Sequence, residues 1–126
     1  MARASKKPTE AELGILQVLW SRGPSTVREV AEALGRDGAY TTVLKLLQIM
    51  FEKGLVRRDE STRPHVFRAA VAELHVKRRF VSDLVDQVFD GSVMSLAMQA
   101  LSGKRATPEE LRKLRELLDE IEGAES

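Results

Sequence analysis

The sequence has no cysteine among its 126 residues, and that absence removes several chemistries at once. Disulfides, thiolate zinc sites and cysteine nucleophiles are excluded, and an intracellular, cytoplasmic setting is expected. Aromatic residues are scarce: four Phe, one Tyr and one Trp. Strands draw heavily on aromatic and β-branched side chains, so a helix-rich core of Leu, Val and Ala is expected rather than a β-sandwich. No apolar run approaches the roughly 20 residues that a membrane span needs, so no membrane insertion is expected. The opening MARASKKP is basic but has no apolar core behind it, and it does not read as a secretory signal. The only histidines, His65 and His75, make no zinc site without a thiol partner. GRDG at 35–38 lacks the spacing of a phosphate-binding loop, and no nucleophile is paired with a base. Neither an enzyme nor a cofactor or metal is expected.

What is present fits one small domain with an appendage. Hydrophobic residues make up 43% and charged residues 31%, as in ordinary globular proteins. The net charge of +1 hides an asymmetry. Residues 1–70 carry 12 Lys/Arg against 8 Asp/Glu, a balance of +4, and residues 71–126 carry 8 against 11, a balance of −3. A basic front and an acidic rear suit a polyanion-binding half joined to something else.

The hydrophobic pattern marks three short helices in the front half. Thr9 with Glu12 forms a capping box for the first, whose face is Leu13, Leu16 and Trp20, with Ile15 and Leu19 beside them. Gly23 and Pro24 stop it. The second is capped by Ser25 or Thr26, carries Val27, Val30, Ala31 and Leu34 as one stripe, and ends at Gly35. The third, inside GAYTTVLKLLQIMFEKGL at 38–55, has Val43, Leu46, Leu47 and Met50 on one side. Thr41, Lys45, Gln48 and Glu52 line the other. Leu13, Leu16, Trp20, Val27, Val30, Leu34, Val43, Leu46, Leu47 and Met50 are the expected core.

Next, LVRRDESTRPHVFRAAV reads as a hairpin, with strands at 55–60 and 65–70 around a turn at STRP. Beyond it the pattern is helical to the end. A long helix carries Leu74, Val81, Leu84, Val85 and Val88 on one face. A short one carries Val93, Leu96, Ala97, Ala100 and Leu101. The last is opened by Thr107, Pro108 and Glu110, and spaces Leu111, Leu114, Leu118 and Ile121 like a coiled-coil seam.

Three helices followed by a hairpin is the order of a winged helix-turn-helix. The fold class expected is mostly α with a small β-hairpin wing: a disordered arm over 1–8, a winged-helix domain over 9–70 and a helical dimerisation region over 71–126. In such a domain the first turn of the third helix meets base edges. Thr41 and Thr42 there can hydrogen-bond or pack on a thymine methyl. The rear helices do not obviously close a core alone, and a second copy would bury their stripes.

Quoted in order, AELGILQVLW, TVREVAEAL, AYTTVLKLLQIMFEKGLV and HVFRA resemble the BlaI/MecI family of penicillinase repressors, most closely over residues 10–70. The resemblance implies a repressor that binds a pseudo-palindromic operator as a homodimer. Its DNA-contacting positions map to Tyr40, Thr41, Thr42 and Lys45. Family members commonly carry a basic residue where this chain has Ile49. In antibiotic-responsive members a membrane sensor protease system leads to cleavage at an Asn-Phe bond. That position falls at Gln99-Ala100 here, where the aromatic is missing. Copper-responsive relatives use a C-terminal cysteine cluster, which this chain lacks.

The candidate DNA-binding residues are therefore Tyr40, Thr41, Thr42, Lys45, Gln48, Arg63 at the wing tip and Arg28 at the start of the second helix. Candidate interface residues are Leu84, Val88, Leu96, Leu101, Leu111, Leu114, Leu118 and Ile121. Blander readings stand beside them: a threonine that only opens a helix, a solvated lysine, a packing tyrosine, and Arg57 and Arg58 paired with Asp59 and Glu60. A winged-helix protein-interaction module and a transcriptional activator are the rival functions.

Overall fold

The computed structural model describes residues 7–35 and 38–125, and divides into two units, 1–81 and 82–126. The first contains α1 (Glu10–Arg22), β1 (Ser25–Thr26), α2 (Val27–Leu34), α3 (Tyr40–Lys53), β2 (Val56–Asp59) and β3 (Val66–Ala69). Helix α4 (Glu73–Val88) spans the division, and α5 (Val93–Gly103) and α6 (Pro108–Glu125) lie in the second unit. Arg36 and Asp37 of the expected GRDG loop lie outside the described residues, as do residues 1–6 of the expected arm. Lys7 and Pro8 of that arm are packed instead: Pro8 is buried, and the Lys7 ammonium sits 4.4 Å from the centre of the Phe80 ring.

Local chemistry starts α1, α2 and α6 where the sequence signals it. Thr9 and Glu12 form the capping box of α1, and Thr107 and Glu110 the reciprocal pair of α6. Between the two candidates for α2 it is Thr26 that caps, with Glu29 reaching back. Ser25 turns inward and donates to the Gly23 carbonyl. Gly54 ends α3 in the left-handed conformation, and its N–H reaches the carbonyls of Met50 and Phe51. Gly38 is required by space: a Cβ there would lie 2.2 Å from the Ala31 carbonyl oxygen. Only a residue without a side chain lets the chain pass so close to α2 before entering α3.

The hairpin is part of a three-stranded antiparallel sheet in the order β1-β3-β2. The extra strand is the two residues Ser25 and Thr26, paired with Phe67 and Val66. Its brevity leaves no alternation in the sequence to detect. It matters mechanically, because it fastens the wing to the start of α2.

The core of the first unit joins Ile15, Leu16, Leu19, Val27, Val30, Val43, Leu47, Met50, Leu55, Val56 and Phe67. Helix α1 is rotated from the expected face: Ile15 and Leu19 are buried, while Leu13 is only half-buried. Trp20, Leu34 and Leu46 are also half-buried, at the core's edge. Trp20 stays there because its indole N–H donates to the Val71 carbonyl at 3.1 Å, which ties α1 to the segment leaving the wing. Helix α4 differs more. In the first unit it buries Val76, on the side opposite the expected stripe, and leaves Leu74 and Val81 exposed.

One polar interaction lies inside this apolar assembly. Glu12 is only 2% exposed. Its carboxylate accepts from the Lys53 ammonium at 2.8 and 2.9 Å and from the Thr9 N–H at 2.9 Å. The pair joins the start of α1 to the end of α3. A buried carboxylate deprived of its cation costs far more than the intact pair contributes. Lys53→Met should therefore destabilise the domain by about 2–3 kcal/mol in urea unfolding. Adding Glu12→Gln to it should cost less than the two single changes summed, as a double-mutant cycle would show.

Candidate nucleic-acid interface

Burial of Val43, Leu47 and Met50 fixes the rotation of α3, and the opposite face follows from helical geometry. Thr41, Thr42, Lys45, Gln48, Ile49 and Glu52 are all exposed along it. The front end differs from those of α1 and α2: Ala39 offers no side-chain cap, and among the described residues no side chain bonds the first N–H groups of α3. Those groups and the positive end of the helix dipole face outward beside Thr41 and Thr42.

The remaining candidates gather beside this ridge. A concavity of about 740 Å³ opens between α2, α3 and the hairpin, and Arg28, Tyr40, Gln48 and Arg63 all line it. Val27, Leu44 and Phe67 contribute apolar lining. Arg58, a wing arginine for which local pairing with Asp59 and Glu60 was the competing expectation, and His65, which was not a DNA-binding candidate, also line it. The seven expected residues thus divide into a ridge of Thr41, Thr42 and Lys45 and a cleft of Arg28, Tyr40 and Arg63, with Gln48 on both.

Several side chains in the cleft are held by neighbours. The Arg28 guanidinium lies 5.9 Å from the Tyr40 ring centre, at the outer range of a cation–π contact. Tyr40 itself is exposed and lines the cleft. Arg58 stacks 4.3 Å from the Phe51 ring centre and pairs with Glu60, so its charge is partly spent within the domain. The Arg63 guanidinium meets His65 Nε2 at 2.7 Å. Arg57 and Arg68 are direct cross-strand partners and both are exposed. Like charges placed opposite each other oppose strand pairing unless an anion lies nearby. Register creates this pair, so the linear sequence gives no sign of it.

The wing turn is set by Asp59. Its carboxylate accepts from the Ser61 N–H at 2.9 Å and the Ser61 hydroxyl at 2.6 Å. These two bonds hold the Asp59 carboxyl below its ordinary value, with smaller help from Arg68 and His65. Among the described residues no cluster of three or more His, Asp or Glu could hold a metal ion, and no helix is long and apolar enough to cross a membrane.

The second unit places the other candidates. Gln99 and Ala100 are exposed but lie inside α5, so a protease would have to unwind that helix to reach the peptide bond. Leu84, Val88, Leu101, Leu118 and Ile121 are exposed, and Leu96, Leu111 and Leu114 are half-buried. Val93, Met94, Met98 and Leu117 join the exposed set. Val85 is the one buried apolar side chain among the described residues of this unit.

A three-helix core, a short sheet and a two-stranded wing beside an exposed third helix define a winged-helix domain. The same architecture is found in a MarR family protein from Bacillus stearothermophilus, with a TM-score of 0.51, 22% identity and coverage of 95% of this chain and 76% of that one. The Penicillinase repressor family model matches residues 8–120, and the chain belongs to that family. It is 33% identical over 116 residues to the transcriptional regulator BlaI of Mycobacterium tuberculosis, covering 90% of this chain and 83% of that protein. It is 20% identical to the methicillin resistance regulatory protein MecI of Mammaliicoccus sciuri, covering 88% and 92%. With the penicillinase repressor of Staphylococcus aureus it shares 17%, covering 96% and 98%.

The Asp59 bonds carry a pH sign. A carboxyl whose folded value is depressed stabilises above its unfolded value, and that contribution is lost as pH falls through the folded value. Amide exchange at Ser61 should therefore be slowed at neutral pH and lose protection in acid below the ordinary value of 3.8. Asp59→Ala should remove that protection at every pH while leaving the urea unfolding midpoint close to wild type.

Proposed function

We propose that the protein is a cytoplasmic, sequence-specific DNA-binding transcriptional repressor that grips a pseudo-palindromic operator as a homodimer. The observation that carries this is the ridge of Thr41, Thr42 and Lys45 beside a cleft lined by Arg28 and Arg63, in a chain of the penicillinase repressor family. In this reading α3 enters the major groove by its first two turns, and the wing and Arg28 hold the flanking backbone. Affinity then comes largely from neutralised phosphates and falls steeply with salt.

The homodimer is supported by the second unit, where α4, α5 and α6 leave Leu84, Val88, Leu101, Leu118 and Ile121 exposed. A twin copy would cover these stripes and set two readers on one face of the duplex, roughly 34 Å apart for adjacent turns. Release by a membrane sensor protease system rests on family resemblance. With Gln99 and Ala100 inside a helix and no aromatic at the bond, cleavage there would require local unwinding. The sign of regulation, repressor rather than activator, rests on the names of the relatives. A protein-interaction module would not need a cleft lined by arginines beside an uncapped helix front.

The reader is tested by the double change Thr41→Ala with Thr42→Ala. Specific operator affinity should fall by about 100-fold or more at fixed salt, given roughly 1–3 kcal/mol for each good base contact. The oligomeric state by sedimentation should be unchanged. Retained specific affinity in that variant would sink the assignment of α3 as reader.

A further inference from the structure

We infer that Ile49 is a specificity-determining residue that reads a thymine C5-methyl by apolar contact, an inference that rests on α3 being the major-groove reader. Ile49 is 37% exposed. It lies four residues beyond Lys45 and seven beyond Thr42, so all three share one side of α3. Exposed Gln48 and Glu52 flank it on the polar side, and half-buried Leu46 and Lys53 lie three residues before and four after it. The other large exposed apolar side chains of α3 have cations over their rings, Arg28 at Tyr40 and Arg58 at Phe51. Ile49 is an aliphatic side chain at the apolar margin of the reading face, one turn beyond the two turns that carry Thr41, Thr42 and Lys45.

The chemistry narrows what it can meet. An aliphatic group cannot bond a phosphate. Glu52, three residues further on, carries a charge that the phosphate backbone repels. That combination suits base edges. Of the heteroatoms and substituents that base edges present in the major groove, all but one are hydrogen-bond donors or acceptors, and pressing one against Ile49 would strip its water without replacing it. The exception is the thymine methyl. Thr42, Lys45 and Ile49 then read successive parts of a half-site, and Ile49 favours thymine over cytosine by both attraction and exclusion.

The test begins with a site selected from a random duplex library by the full-length wild-type protein. Each thymine of the half-site is then replaced singly by deoxyuridine, which removes only the methyl. At one position the wild type should bind about fourfold more weakly, the worth of one methyl-sized group left in water. Ile49→Ala should show no penalty at that position, and Ile49→Val should retain it. Ile49→Arg should lose it too while adding about one unit to the salt slope. All three changes are at an exposed position, and thermal unfolding should be close to wild type. If Ile49→Ala keeps every deoxyuridine penalty of the wild type, or if no thymine is methyl-sensitive, the inference is overturned while α3 remains the reader. If the wild type selects no sequence, the operator reading falls and this inference with it.

Discussion

The presentation of one face of α3 depends on how firmly its other face is held. Val43, Leu47 and Met50 are buried against α1, α2 and the base of the wing, which fixes the rotation of the helix. Apolar packing alone is non-directional and leaves room for a helix to slide or twist. The Lys53–Glu12 pair, buried at the Glu12 end and tied to Thr9 as well, adds a directional constraint at the rear of α3. At the front, Gly38 allows the chain to pass against Ala31 and start the helix close to α2. With both ends fixed, Thr41, Thr42, Lys45, Gln48 and Ile49 stand on a rigid support.

The wing is held to the same standard. It hydrogen-bonds through β3 to β1, whose second residue, Thr26, also caps α2. One short segment therefore joins the sheet, the second helix and the cleft in which Arg28 and Arg63 face each other's elements. The Asp59–Ser61 bonds shape the turn, and the Arg58–Phe51 stack attaches the outer strand to α3. The cleft and ridge are consequently one continuous surface, with positive groups around the edges and small polar groups in front. The second unit follows a different logic: its helices keep their apolar stripes outward, which suits assembly rather than a closed core.

Much of the candidate site was legible because it depends on helical periodicity. The stripe of Val43, Leu47 and Met50 implies the opposite ridge, and Thr9 with Glu12 and Thr107 with Glu110 announce their helix starts. His65 in the cleft, the stacking of Arg58 on Phe51, the opposition of Arg57 and Arg68, and the β1 strand were not legible, since each depends on strand register or on a contact distant in sequence. The face of α4 misled for the same reason. Of the stripe Leu74, Val81, Leu84, Val85 and Val88 only Val85 is buried, while Val76, outside the stripe, is buried within the first unit.

The sequence by itself determined the class of fold, the order of the helices and wing, and the family, because capping, periodicity and motif spacing are local properties. Tertiary structure decided which half of each amphipathic surface is used. Glu12 reads as a cap residue and proves to be a buried anchor only because folding brings Lys53 to it across 41 residues of chain. Ile49 is equally ambiguous in one dimension, an apolar residue at the margin of an apolar arc. The packing of Val43, Leu47 and Met50 uses up the space available inside and leaves Ile49 among the polar groups outside.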